Sequence, residues 1–337
     1  MAPCRRSSRR YIMSIPLRTI QTLFAAAVLT AGASAHAQAY PSRPVSLVTP
    51  FPPGGAADVV IRLMAQELGK EMDATFIVDN RAGAGGAIGT SYVARANPDG
   101  YTLLLTSSST MSINPHLTAK RPYDPFTSFT PISLVGYATN ELVVTGTLPY
   151  KTVGDVIAAA KAAPGKIAFG SNGVGTLSHL MGEMFMQQAG VKMLHVPYKG
   201  AAPAVADTAA GQVSVLFSNY ASVAPMVKAG KLNGLAITSL KPTPLAPGLP
   251  TIAESGLPGF EANQWWGLWG PAGLPKEIVD KLNAAATKVL TNRDTIKRFN
   301  AEGVDLLSGT PADLTAYLRA DYDRWGEVVK AAGIKPE

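Results

Sequence analysis

Short apolar runs rich in β-branched residues alternate with segments of helical period along most of the chain, and this alternation constrains the fold more than any other feature. Residues 45–49, 75–78 and 101–105 read as strands, with helical patterns over 59–68 and 88–94 between them. Strands separated by helices of this length imply a parallel sheet covered on both faces. The pattern then repeats. Strands are expected at 142–144, 167–170, 194–196, 213–217 and 235–238, and helices at 153–163, 179–189, 201–210 and 221–229. Two series of this size predict an α/β fold with two lobes, each a mostly parallel sheet with helices on both faces, and a cleft between them. Two extended stretches, 130–144 and 259–270, read as crossovers between the lobes; the second carries Trp265, Trp266 and Trp269, read as packing or hinge residues. Hinge bending is expected near 140 and 262. The expected division is therefore 38–140 plus 263–337 for the first lobe and 141–262 for the second. The tail of the first lobe is three helices, 277–290, 293–301 and 311–331, the last opened by an N-cap with proline behind it, Thr310-Pro311-Ala312-Asp313.

Residues 1–37 read as an export signal. Five arginines (5, 6, 9, 10 and 18) precede the apolar run Leu23-Phe24-Ala25-Ala26-Ala27-Val28-Leu29, and Ala35-His36-Ala37 fits an A-x-A cleavage site. The run is too short to span a bilayer. Ser8-Arg9-Arg10-Tyr11-Ile12-Met13 resembles a twin-arginine signal, while Met13 offers an alternative start, so both export routes stay open. Without the five leader arginines, the 30 basic residues fall to 25 against 23 acidic ones, a net of +2. No clustered basic charge remains to argue for nucleic acid. The single cysteine, Cys4, also lies in the leader, which excludes disulfides and cysteine metal sites from the mature chain.

Two glycine-rich turns carry the candidate site. The first is Pro50-Phe51-Pro52-Pro53-Gly54-Gly55-Ala56-Ala57-Asp58, between a strand and a helix. Its prolines stiffen the incoming backbone, and its glycines permit a tight turn with no side chain in a ligand's way. The amides of the following helical turn have no helical partner and sit at the positive end of the helix dipole, which suits a small anion. The second is Gly170-Ser171-Asn172-Gly173-Val174-Gly175-Thr176-Leu177-Ser178-His179, again strand to helix. Ser171, Asn172, Thr176 and Ser178, with the loop amides, supply donors for a carboxylate. A hydroxyl-rich stretch, Ser107-Ser108-Ser109-Thr110, followed by Asn114, reads either as a third set of donors for the same cleft or as a solvated loop.

Other chemistries fit less well. Gly83-Ala84-Gly85-Gly86-Ala87-Ile88-Gly89 lacks the dinucleotide spacing G-x-G-x-x-G, and reads instead as a tight turn into a closely packed helix. The histidines at 116, 179 and 195 show no metal-binding spacing, so neither metal nor cofactor is expected. A hydrolase using Ser171 or Ser178 with His179 stays open as an alternative, although no G-x-S-x-G elbow is present.

The chain resembles the Bug-type extracytoplasmic solute receptors, the binding components of tripartite tricarboxylate transporters. The resemblance rests on 50–58, on Asn80-Arg81-Ala82-Gly83-Ala84-Gly85-Gly86, on Asn97-Pro98-Asp99-Gly100-Tyr101-Thr102-Leu103, on 171–180, on His195-Val196-Pro197-Tyr198-Lys199-Gly200 and on Leu257-Pro258-Gly259-Phe260. It implies a two-lobed periplasmic binding protein, type II-like, that is no enzyme. Such a protein is a monomer that closes on a dicarboxylate, tricarboxylate or aromatic acid and docks transiently on membrane transporter subunits; a receptor presenting its ligand to a sensor kinase is the variant of this reading. In the family the two turns hold the ligand carboxylate. The resemblance places that role on Pro53, Gly54, Gly55, Ala56, Ala57 and Asp58 in one lobe, and on Ser171, Asn172, Gly173, Gly175, Thr176 and His179 in the other. It also marks a departure: Ser214 and Ser218 stand where relatives often carry aspartate, so a cleft wall at Ser218 is less negative than usual.

Overall fold

Val45, Leu47 and Val48 are completely buried, as a strand covered on both faces requires. The computed structural model describes residues 40–54 and 56–336, so the expected export signal and Gly55 lie outside the described residues. Strand β1 (Val45–Thr49) leads through helix α1 (Ala56–Met72) to β2 (Phe76–Asn80), and through α2 (Ala87–Ala94) to β3 (Thr102–Ser107). Both strands pair with β1 in parallel, one on each side. The serine-rich stretch after β3, expected as a loop, is helical: a wide turn over Ser109–Ile113 runs into α3 (Asn114–Leu117). Met111 and Ile113 drive this by burying almost completely. Pro115 falls in the first turn of α3, where its missing N–H leaves nothing unsatisfied. Strand β4 (Phe129–Ala138) completes this half of the chain.

The second sheet begins at once. β5 (Asn140–Thr145), α4 (Val153–Ala162), β6 (Ala168–Ser171), α5 (Leu177–Ala189), β7 (Leu194–Pro197), α6 (Ala201–Ala209), β8 (Val215–Asn219), α7 (Tyr220–Lys228) and β9 (Leu232–Ile237) follow in order. The chain then returns through β10 (Gln264–Pro271), α8 (Lys276–Thr291), α9 (Arg293–Ala301), β11 (Asp305–Leu306) and α10 (Pro311–Ala331). The strand orders are β11-β4-β10-β3-β1-β2 and β7-β6-β8-β5-β9. In each sheet most strands run one way; the strand entering from the other lobe is reversed, and so is β11 in the first sheet. β10 is antiparallel to β3 and β4, and β5 is antiparallel to β8 and β9. The crossovers are thus full sheet members rather than linkers. Trp265, Trp266 and Trp269 of β10 are buried to within 1% exposure, which makes them packing residues.

From Arg43 onward the chain forms one unit holding both sheets, and two features tie the sheets together. The crossings run side by side. Asn140 Nδ2 donates to the Ala262 carbonyl at 3.0 Å, the Asn140 N–H donates to Thr238 Oγ1 at 3.0 Å, and Thr238 Oγ1 donates to Asn263 Oδ1 at 3.2 Å. Helix α10 is shared between two cores. Leu314 and Leu318 pack with Trp265 and Trp269, whereas Trp325, Val328 and Val329 pack with Phe169, Phe185 and Phe217 of the second lobe. At its middle, Trp265 Nε1 donates to Asp321 Oδ2 at 2.7 Å, and burial raises the Asp321 carboxyl above its ordinary range. Thr310 and Asp313 cap this helix reciprocally, as their spacing predicts.

Candidate functional site

The first turn is organised by one carboxylate. Asp58 Oδ2 accepts from the Gly54 N–H at 3.0 Å and from Arg62 Nε at 2.9 Å, and Oδ1 accepts from Asn80 Nδ2 at 2.9 Å. Asn80 Nδ2 also donates to the Phe51 carbonyl, so the end of β2 holds the turn that follows β1. The hydrogen bond from Arg62 holds the Asp58 carboxyl down at about 2, against a burial effect of opposite sign. Asp58 is therefore a brace: both its oxygens are engaged by the protein. Gly54 adopts φ 88°, which only glycine enters easily. Gly89 lets the neighbouring segment pack against the turn, since a Cβ there would sit 2.7 Å from the Arg81 carbonyl and 2.9 Å from Pro50 Cα. This close approach is what the glycine run at 83–89 is for.

The second turn is organised by neutral groups. The Asn172 N–H donates to Ser178 Oγ at 2.8 Å, the Gly173 N–H to Ser171 Oγ at 3.2 Å, and the Gly175 N–H to His179 Nδ1 at 3.1 Å. Thr176 Oγ1 donates to the Gly173 carbonyl at 2.7 Å. An acceptor at Nδ1 is a neutral imidazole, with its Nε2 3.4 Å from Glu183 Oε1. The ring stacks on His195 at 3.9 Å between centroids, and Phe169 stacks near both rings, 4.9 Å from His195 and 6.5 Å from His179. Burial and the neighbouring His179 push His195 down to about 4.

These contacts correct two expectations. Ser171 is fully buried and bonds His195 Nε2 at 2.6 Å, so the Ser171–His179 pair of the hydrolase reading does not form. Ser178 Oγ is occupied by the Asn172 N–H and lies 3.1 Å from Thr176 Oγ1. The loop amides of Asn172, Gly173 and Gly175 are likewise engaged by folding contacts, so they are not free donors for a ligand. What remains are first-turn amides: Ala56, Ala57 and Asp58 in α1, and Leu177, Ser178 and His179 in α5, none of which has a partner within its helix.

A cleft of about 1040 Å³ lies between the two turns. Pro50, Phe51 and Pro52 line it from the first lobe, and Asn172, Gly175, Thr176 and His179 from the second. Pro53, Gly54 and Ala56 are exposed, Ala57 is buried and Gly173 is half-buried, and none of them is part of this wall. Ser107 is fully buried in β3 opposite Trp266 and takes no part in the wall. Ser218 does line the cleft. Ser109 and Asn114 of the hydroxyl-rich stretch do reach the wall, whereas sequence reading missed Gly83, Gly85 and Gly86, which the tight packing of their segment brings there, and the amides Asn140, Asn219 and Gln264. Asn219 alone left a signal, as an N-cap residue before a helical run; its Oδ1 accepts from the Ala221 N–H at 3.0 Å. Among the described residues, no group of three His, Cys, Asp or Glu side chains is placed to hold a metal ion.

Residues 60–334 match the family described as tripartite tricarboxylate transporter family receptor. The chain is 36% identical to the BugT protein of Bordetella pertussis over 311 residues, 91% of this chain and 95% of that one. The structure superposes on Rpa4515 of R. palustris, solved with adipate, with a TM-score of 0.74 and 36% identity, covering 88% of this chain and 100% of the other. MatC from Rhodopseudomonas palustris, solved with bound malate, gives a TM-score of 0.69 at 30% identity over 86% of this chain and 100% of its own. The fold is that of the periplasmic binding proteins, and the chain belongs to the tripartite tricarboxylate transporter family of receptors.

Proposed function

We propose that the protein captures a small carboxylate between its lobes in the periplasm and delivers it to the membrane subunits of a tripartite tricarboxylate-type transporter. The observation that carries this reading is that the turn leading into helix Ala56–Met72, through Pro50, Phe51 and Pro52, and the N-terminus of helix Leu177–Ala189 line one cleft from opposite lobes. A carboxylate has two oxygens, and each N-terminus offers amides without helical partners and a favourable dipole. Acid groups bridging the turns make contacts in a closed form that an open form cannot make, so ligand drives closure. The paired crossings at 139–140 and 262–263 are the hinge in this reading. Capture needs no bond-making step, in keeping with the binding-protein character of the family.

Adipate and malate, found in the two related structures, are the first compounds to try. In a thermal-shift experiment on the mature chain, a cognate carboxylate at a hundred times its Kd stabilises the fold by about 2.7 kcal/mol. The corresponding methyl esters should give no shift. Stabilisation by the esters equal to that by the acids would contradict the reading.

A further inference from the structure

Behind the cleft wall of the second lobe lies an acid without a partner. Glu141 is 1% exposed, and neither carboxyl oxygen has a hydrogen-bond partner among the described residues. Burial alone pushes this carboxyl up to about 7. The strand pairing sets Glu141 directly across from Ser218, so the two side chains stand on one face of the second sheet with Cβ atoms about 5 Å apart. Ser218 lines the cleft, and its Oγ is likewise buried and without a partner. Gly234 of β9 makes room for the acid, since a Cβ there would collide with Glu141 Oε1. An apolar side chain would fill this space at less cost than an unpaired acid.

The surroundings offer the carboxyl nothing else. Helices α6 and α7 cover this face with Ala204, Val205 and Val223, and Val227 lies close to Gly234. The titratable side chains of these helices are Asp207, which bonds Tyr198, the half-buried Tyr220 and the exposed Lys228, and none of them acts on Glu141. Strands β5, β8 and β9 carry no charged residue besides Glu141. Ala201 and Ser222, in the first turns of the same two helices, line the cleft as Ser218 does. A turn of the Glu141 side chain from Gly234 toward Ser218 therefore links the acid to the wall. Ionised Glu141 then accepts the Ser218 hydroxyl proton and leaves the oxygen lone pairs facing the cleft; protonated Glu141 donates to Oγ and turns the hydroxyl proton outward.

We propose that Glu141 and Ser218 form a second subsite of the cleft, resting on the carboxylate capture above, which takes a hydrogen-bond donor carried by the cargo: a hydroxyl or an ammonium group. Ser218 makes the contact and Glu141 sets its direction. Binding selects the ionised acid, so it releases a proton near neutral pH and strengthens as pH rises through that range. Calorimetric titration of the mature protein with two series of diacids tests this: succinate, malate and aspartate, and adipate, 2-hydroxyadipate and 2-aminoadipate. Each series runs from no donor through a hydroxyl to an ammonium, so its members tell the two donors apart. At pH 8 a substituted acid of at least one series should bind about tenfold tighter than the plain one, and this ratio should fall about tenfold by pH 6. Ser218→Ala and Glu141→Gln should each bring the pH 8 ratio to about twofold or less. Glu141→Gln should also abolish the proton release, read from binding heats in two buffers of different ionisation enthalpy. His179 and Lys335, the ionisable residues among those lining the cleft, are untouched in Glu141→Gln. A ratio that keeps its size or its pH dependence in that variant belongs to them and overturns the inference. Plain acids binding as tightly as their substituted partners overturn it too and leave carboxylate capture standing, whereas absence of binding by all six acids overturns both.

Discussion

The two turns that face each other across the cleft look alike in sequence and are held in opposite ways. The first is fixed by an ion: Asp58, buried and paired with Arg62, gathers Gly54 and Asn80. The second is fixed by neutral groups: two serine hydroxyls, a threonine and an imidazole that accepts from the loop. Glycine spacing sets what each turn can do sterically, and the bracing side chain sets the conditions under which it keeps its shape. An ionic brace survives down to low pH, while the second lobe carries His195 and Glu141, moved to about 4 and about 7. The first lobe should therefore be the constant half of the site and the second the adjustable half.

The largest test of this contrast removes the ion. Asp58→Asn leaves Arg62 without its partner and weakens two further hydrogen bonds; it should cost about 2 kcal/mol of stability in denaturant titration, since Arg62 is partly solvated, and lower ligand affinity about a hundredfold. A variant that binds normally would show that the first turn needs no brace.

The pH profile of stability comes next. Asp58 has a folded value of about 2 against an ordinary 3.8, so its contribution is complete above that range and disappears only as pH falls toward about 2. His195 has a folded value of about 4 against 6.5, so the fold favours the neutral ring; stability is complete above 6.5 and declines as pH falls toward about 4. Glu141 acts in the opposite direction. Its folded value near 7 against 4.5 favours the protonated acid, so stability is complete below 4.5 and declines as pH rises through about 7. Thermal melts of His195→Gln and Glu141→Gln should lose the acid-side and alkaline-side slopes respectively. Equal slopes in variant and parent would remove the titratable character assigned to the second lobe.

Smaller effects come from single donors and acceptors. His179→Ala frees the Gly175 N–H, and should reduce stability by about 1 kcal/mol and affinity about tenfold, measured by melting and calorimetry. Ala56→Pro deletes one first-turn amide at a position where helices accept proline, so affinity should fall by a similar factor with little change in melting temperature. Loss of folding in this variant would mean that the amide serves the turn and not the ligand.

Much of the architecture was legible because periodicity is local. Val45–Thr49, Arg293–Ala301 and Pro311–Ala331 form where the pattern places them. Strands β4 and β10 were not legible as full sheet members, because their pairing depends on partners more than a hundred residues apart in sequence, such as Trp265 with Tyr137. Both glycine turns were identifiable, since strand, glycine and helix start are adjacent in sequence. Which of their amides stay free was not, because this depends on where the side chains of Asp58, Ser178 and His179 point. Asn140 and Gln264 reach the wall only because the crossings run side by side, and single amides carry no pattern of their own.

A crystal structure of the mature protein grown with its tightest-binding acid would decide the central point. The carboxylate should lie in the cleft, with its oxygens within hydrogen-bonding reach of first-turn amides of Ala56–Met72 on one side and Leu177–Ala189 on the other, directly or through one water. An acid bound outside the cleft, or held by one lobe alone in the closed form, would contradict it.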